Sequence, residues 1–471
     1  MKKTIRLLIL ALLICSFLGV CVFATDQTDG NPSQERFGLD DQSGILGSHK
    51  LIVNAQSVFL YEAKSQTLMY AWNADEGLAP ASFVKLMTAL LVVENAELTD
   101  TVTVDRGTLN TIPSDARISK LKPGETFTVE DLLCFMLVDS GNDAAAVLAE
   151  FVSNSQTAFV DMMNARAEEI GCTNTNFMNV HGLYHEEQYM SARDTARILS
   201  VAMENSHFRD VFTRVYYTVP ATDQNPQRQL ASDNYLLSED DMAIYYDKRV
   251  LGSRTGLDPA GNRCIASVSA DNGMEFISVV MGCASEYGED GYSTKVYGGY
   301  PETRELLDAG FENYKTAQIL YSGQILRLTD VYDGDCQLAL GSQDSVWSVL
   351  PDDVELSDLE FAYSDIPGAL TAPVTQGSHV STLRIMLKGN CIAQREVYAM
   401  NSVSAVSSPD VVVQKGISEE AQSGGSFWTV LLVILVLSVI VYLIYRLRRR
   451  MQSGAQKKRS RNHRANRRRT R

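Results

Sequence analysis

Ser82-Phe83-Val84-Lys85 starts an apolar stretch with helical spacing, SFVKLMTALLVVE (82–94). Residues three apart share one face of a helix, so the Ser82 hydroxyl and the Lys85 amine can meet. Such a pair offers nucleophilic chemistry. A helix N-terminus favours an oxygen that becomes anionic, and a lysine whose pKa is lowered by burial or a nearby cation accepts its proton. The spacing alone is common, and an isolated match is more often a solvated helix start. Ser119-Lys120-Leu121-Lys122 repeats it, but runs into the turn signal Pro123-Gly124 and opens no helix.

Two further elements follow in order. Ser140-Gly141-Asn142 lies between two helical segments, where a loop can turn a hydroxyl and an amide inward. Ordinary turn chemistry uses the same residues, and Ser232-Asp233-Asn234 is a rival copy. The helix junction favours 140–142. Arg254-Thr255-Gly256, in a strand-like run, pairs a cation and a hydroxyl that can hold a carboxylate with a glycine that lets a peptide backbone approach. Each element is weak by itself; the three in this order are not.

Together with PASFVKLMTALL, LKPGETFTVEDLL, SGNDAA, NVHGL, SARD and GSRTGLDPAG, they resemble the low-molecular-weight penicillin-binding D-alanyl-D-alanine carboxypeptidases. The likeness spans roughly 48–316, and 317–403 resembles the β-rich domain that follows in that family. It implies a β-lactamase/transpeptidase-like fold and a serine peptidase that removes the terminal D-alanine from peptidoglycan stem pentapeptides, inhibited by penicillin. Carried over, Ser82 is the nucleophile, Lys85 the general base, and Ser140 the proton relay to the leaving D-alanine. Asn142 binds the substrate amide and holds Lys85. Arg254 and Thr255 bind the terminal carboxylate, with Arg254 also depressing the Lys85 pKa. Gly256 admits the substrate backbone, and the N–H groups of Ser82 and Leu257 form the oxyanion hole. No metal or cofactor is implied. Two departures stand out: the family usually has Lys at Arg254, and tends to have Arg where the next strand carries Glu275.

The elements that must position these residues read as α+β. SVFLYEAKSQTLMYAW alternates around Lys64-Ser65 as a hairpin, and Thr128 to Asp131 has a capping-box pattern before LLCFMLV. Further helices are expected at 157–169 and 191–204. RVLGSRTG, NRCIASVSA and MEFISVVMG read as strands, the last two turning at Asp271-Asn272-Gly273, and 303–316 as a closing helix. Strands, then helices, then strands imply a sheet drawn from both ends of the domain with a helical cluster against it. Short strand-like runs in 317–403, ending in a hairpin at Lys388-Gly389-Asn390, imply a small all-β domain.

Chain-wide features place this body outside the cytoplasm. Residues 1–24 carry Lys2, Lys3 and Arg6, then the apolar run Leu7–Val22 and a Val22-Phe23-Ala24 cleavage pattern, read as a signal peptide or an uncleaved anchor. Phe427–Tyr445 is uncharged and long enough to span a bilayer, and the tail 446–471, with thirteen Lys/Arg and no acid, belongs on the cytoplasmic side. A single-pass membrane protein follows, with 25–47 and 404–426 as linkers. Formal charge is −15 despite that tail, so the body is strongly acidic and repels nucleic acid. Cys134, Cys172, Cys264, Cys283, Cys336 and Cys391 lack metal or disulfide-framework spacing and are expected as small buried residues. His181 and His185 with Glu186 and Glu187 suggest zinc superficially, but NVHGLYHEE reads as a loop. A β-lactamase, and a penicillin-binding sensor or scaffold with weak catalysis, are the alternatives to the carboxypeptidase.

Overall fold

The computed structural model describes residues 44–406 apart from 48–49, 240–241, 291–292 and 365–369. The signal segment 1–24, the apolar segment 427–445 and the basic tail lie outside the described residues. Among those described, no helix is long and apolar enough to cross a membrane.

The period-two runs at both ends of the catalytic region form one sheet. β1 (Ser57–Glu62) and β2 (Thr67–Trp72) make the early hairpin; β3 (Val250–Leu257), β4 (Arg263–Asp271) and β5 (Met274–Cys283) make a late meander. Their order is β2-β1-β5-β4-β3, antiparallel throughout, which leaves β3 as an edge strand. Asn272 and Gly273 turn β4 into β5 with φ of 49° and 82°, the left-handed geometry of a two-residue hairpin loop. Side chains alternate between two cores: Phe59, Tyr61, Ala266 and Val279 enter one, Val58, Leu60, Ile265 and Val280 the other. Because both faces are covered, β1, β2 and β5 are largely apolar on both sides.

Six helices fill the first core: α1 (Val84–Asn95), α2 (Val129–Leu137), α3 (Asn142–Ser153), α4 (Gln156–Ile170), α5 (Ala192–Glu204) and α6 (Ser206–Phe212). The capping box forms as the sequence implies: Thr128 Oγ1 accepts from Asp131 N at 3.1 Å, and Asp131 Oδ2 accepts from Thr128 N at 3.0 Å. α1 is buried on every side from Val84 to Val93. α7 (Tyr300–Phe311) covers the opposite face, with the Phe311 ring 4.6 Å from Phe276. It replaces the helix expected at 303–316. Pro301 sets its first turn, and the chain is already a strand at Tyr314.

The following region is all β. β6 (Tyr314–Leu320), β7 (Ile325–Thr329), β8 (Leu338–Gly341), β9 (Val346–Pro351), β10 (Glu360–Ser364), β11 (His379–Leu387) and β12 (Asn390–Ala399) succeed one another. A sheet ordered β7-β8-β12-β11-β10 and the β6–β9 pair enclose a core that includes Leu340, Val346, Leu383 and Val397. The segments read as linkers contribute structure where they are described. Leu46 N donates to Met69 O at 2.8 Å on β2, and Val406 N to Asp333 O at 2.8 Å. Backbone acceptors left on neighbouring segments recruit the flanking chain. Four of the six cysteines are buried, Cys172 is half-buried, and Cys336 is exposed, contrary to the expectation of burial.

A buried polar relay ties the catalytic sheet to the β region. Glu62 accepts from Ser65 Oγ at 2.5 Å, Ser65 Oγ lies 2.8 Å from Thr67 Oγ1, and Thr67 Oγ1 lies 3.0 Å from Ser348 Oγ. Replacing Thr67 by its apolar isostere takes its partner from the buried Ser348 hydroxyl and one of two from Ser65. Thr67→Val is expected to lower unfolding free energy by about 1–3 kcal/mol, and Thr67→Ser to lower it less, measured by urea denaturation.

Candidate active site

Ser82 occupies a single 3-10 turn, Ala81–Phe83, that leads into α1. Such a turn eclipses residues three apart, so Lys85 in the first helical turn still reaches back to it. Lys85 is 1% exposed, and its Nζ stands 3.5 Å from Ser82 Oγ. The amine also donates to Asn142 Oδ1 and to the His181 carbonyl, both at 2.6 Å. A neutral amine has two N–H bonds, and these acceptors take both. Its lone pair is then left for the Ser82 hydroxyl. Burial pushes the Lys85 pKa well below that of a free lysine, and the Arg254 and Arg117 charges push it the same way against Asp143.

Ser140-Gly141-Asn142 joins α2 to α3 with Ser140 in the left-handed region, φ 64°. Gly141 N donates to Phe135 O at 2.9 Å, and Asn142 N to Arg117 O at 3.0 Å. The buried Asp143 carboxylate accepts from Ser119 N at 2.9 Å and Leu121 N at 3.1 Å, binding the 117–121 loop to the start of α3. The second Ser-x-x-Lys copy is therefore scaffold. The rival Ser232-Asp233-Asn234 meets other partners: Asp233 pairs with Arg117, and Asn234 Oδ1 accepts from Leu236 N.

Arg254 lies on β3 with its side chain buried. One terminal nitrogen donates to Leu137 O at 2.9 Å and the other to Ser140 Oγ. Burial pulls its pKa down to about 10, which leaves it charged at neutral pH. The guanidinium expected on a substrate carboxylate is here engaged with the Ser140 loop, while Thr255 beside it is partly exposed. Glu275 is far from this position. It faces Ala270 near the β4–β5 turn and pairs with Arg209 at 2.9 Å, whereas Arg254 faces Ala266. It therefore does not oppose a carboxylate beside Thr255.

Two glycines let neighbouring segments press on the Ser82 turn from two directions. A Cβ on Gly256 would stand 2.9 Å from Ser82 N and 2.8 Å from Ala81 Cβ. A Cβ on Gly182 would stand 1.9 Å from Ala81 O, and Gly182 also has φ +88°. Ala81 itself has φ 46°. Beyond the turn, Ala81, Leu183, Tyr184, Leu257 and Pro259 line a cavity of about 160 Å³. His181 and His185 lie in a loop, each Nδ1 accepting a backbone N–H from two residues on. Burial and the Lys85 charge lower the His181 pKa to about 4, so it is neutral at physiological pH. Sequence reasoning missed the His181 carbonyl, Asp143 and Arg117. The only trace was NVHGL and SGNDAA as strings, since a carbonyl acceptor carries no residue-type signal.

Gly182→Ala is expected to cost about 2–4 kcal/mol of stability in denaturant titration, from combined backbone strain and overlap with Ala81. Arg254→Gln removes a positive charge beside Lys85, which favours the protonated amine. The Lys85 pKa should rise toward its free value, read from the pH dependence of the Nζ resonance in ¹⁵N-lysine spectra.

Comparisons with known proteins show the family. Residues 46–285 match the family model of the D-alanyl-D-alanine carboxypeptidases, and 314–405 match that of the penicillin-binding protein 5 C-terminal domain. D-alanyl-D-alanine carboxypeptidase DacD of Escherichia coli is 31% identical over 74% of this chain and 87% of its own length. DacC of the same organism is 29% identical over 74% and 84%. Penicillin binding protein 5 from Haemophilus influenzae has a similar crystal structure, with a TM-score of 0.62 and 28% identity, covering 76% of this chain and all of its own. This chain belongs to the D-alanyl-D-alanine carboxypeptidase family.

Proposed function

We propose that Ser82 is the nucleophile through which this D-alanyl-D-alanine carboxypeptidase removes the terminal D-alanine of peptidoglycan stem pentapeptides. The observation that carries the reading is the buried Lys85 amine, with both N–H bonds of its neutral form taken by Asn142 and His181 and its remaining position on Ser82 Oγ. Lys85 accepts the hydroxyl proton as Oγ attacks the carbonyl between the two D-alanines, forming an acyl-enzyme. The same amine then activates the water that hydrolyses it.

Arg254 donates to Ser140 Oγ, which leaves the Ser140 O–H free to donate to the departing amine. In this reading Arg254 depresses the Lys85 pKa and aims Ser140, and Thr255 contributes the hydroxyl for the terminal carboxylate. The missing side chain at Gly256 keeps open the space beside Ser82 N. An oxyanion held there by the N–H groups of Ser82 and Leu257 gains most in the transition state. The cavity past Leu257 suits the acyl side of the stem peptide. A β-lactam, with its carbonyl at the same place, acylates Ser82 and blocks the enzyme. The apolar segment 427–445 and the signal pattern at 1–24 support work outside the cytoplasm on a single membrane anchor.

Wild-type protein is expected to release D-alanine from a peptide ending in Lys-D-Ala-D-Ala, and Ser82→Ala to lose about a thousandfold or more of that rate. Mass spectrometry of penicillin-treated protein should place the adduct on Ser82. Penicillin labelling without D-alanine release would instead favour a sensor.

A further inference from the structure

The two ends of the cleft are built differently. Its walls are the edge strand β3 and the Ser140–Asn142 loop, with Ser82 between them. At the Leu257 end the cavity lined by Ala81, Leu183, Tyr184 and Pro259 lies past the nucleophile. At the Ser140 end the walls are tied together twice. The inner tie is Arg254, reaching from β3 to Ser140 and Leu137 O. The outer tie is Arg117. Its carbonyl accepts from Asn142 N at 3.0 Å, which fixes it to the α3 wall, while its guanidinium donates to Asp233 and, at 3.4 Å, to Asp139. Asp233 lies 116 positions later, in the segment that leads into β3. The Arg117 charge is felt at both Lys85 and Arg254, and that of Asp233 at Arg254, so the bridge lies near the catalytic groups.

We infer that the Arg117–Asp233 bridge closes the leaving-group end of the cleft, so that the site accepts a peptide only where the chain stops at the second D-alanine. This rests on the reading of Ser82 and Ser140 given above, and makes the bridge the determinant of exo-cleavage. The acyl half of the substrate occupies the Leu257 end. The leaving D-alanine lies under the bridge, with its carboxylate toward the Arg117 guanidinium. A residue attached beyond it removes that carboxylate and must displace the bridge. Chemistry is unchanged by such an extension: the Oγ–carbonyl ester forms, the C–N bond breaks, and the amine leaves with the relayed proton. The side chains of Arg117 and Asp233 are 46% and 56% exposed, so the pair can be removed without opening the core.

The test compares cleavage between the D-alanines in two peptides, one ending in Lys-D-Ala-D-Ala and one extended by glycine, releasing D-alanine or D-alanyl-glycine. Wild type should cut the first and discriminate against the second. Asp233→Ala should raise the extended-to-terminal ratio of kcat/KM about fivefold or more, the ratio and not the rate on either peptide alone being the readout. Asp233→Glu should keep the wild-type ratio. An unchanged ratio in Asp233→Ala, or equal cleavage of both peptides by wild type, overturns the inference while leaving the carboxypeptidase intact. Failure of wild type to cut either peptide defeats it together with the reading beneath it.

Discussion

Burying the amine of Lys85 is the constraint on which the rest of the catalytic domain depends. A lysine 1% exposed keeps its place only if every N–H finds an acceptor, because an unpaired buried polar group costs several times what a solvated one does. The acceptors come from 57 and 96 residues further along the chain. Supplying them brings the N-terminus of α3 and the 179–183 loop against α1. The same burial that demands those partners lowers the amine's pKa. Structural cost and chemical use have one physical origin here.

The backbone around the nucleophile is held in sparsely populated conformations by its neighbours. Ala81 and Ser140 both have positive φ, at 46° and 64°, without being glycine. Such residues persist only where surrounding contacts over-determine them. For Ala81 the contacts are Gly182 and Gly256, which close in where any Cβ would overlap the turn. For Ser140 they are the Gly141 hydrogen bond to Phe135 and the Arg254 guanidinium. The larger, flatter cation at 254 bonds two groups at once, Leu137 O and Ser140 Oγ, as a planar fork does more readily than an ammonium.

Features governed by neighbours in the chain were legible from residue type and spacing. The Thr128–Asp131 capping box, the Asn272-Gly273 hairpin and the Ser82–Lys85 pairing all form, because each depends on a few consecutive residues. The expected helix at 303–316 was displaced: Pro301 starts it earlier, and pairing with β9 takes Tyr314 into a strand. Glu275 looked hostile to an anionic substrate only while its depth in the sheet was unknown. Register sets it beside the β4–β5 turn, with Arg209 from α6 neutralising it.

By itself the sequence determined the family, the order of the three motifs, the α+β arrangement and which serine starts the apolar helix. These follow from side-chain chemistry and local periodicity, which the chain carries wherever it folds. Only the tertiary structure decided that the His181 carbonyl completes the lysine's shell, that Arg254 faces Ser140, and that Arg117 meets Asp233. Backbone carbonyls are alike in every sequence, and a charge acquires its partner and its pKa only when distant segments exclude water together.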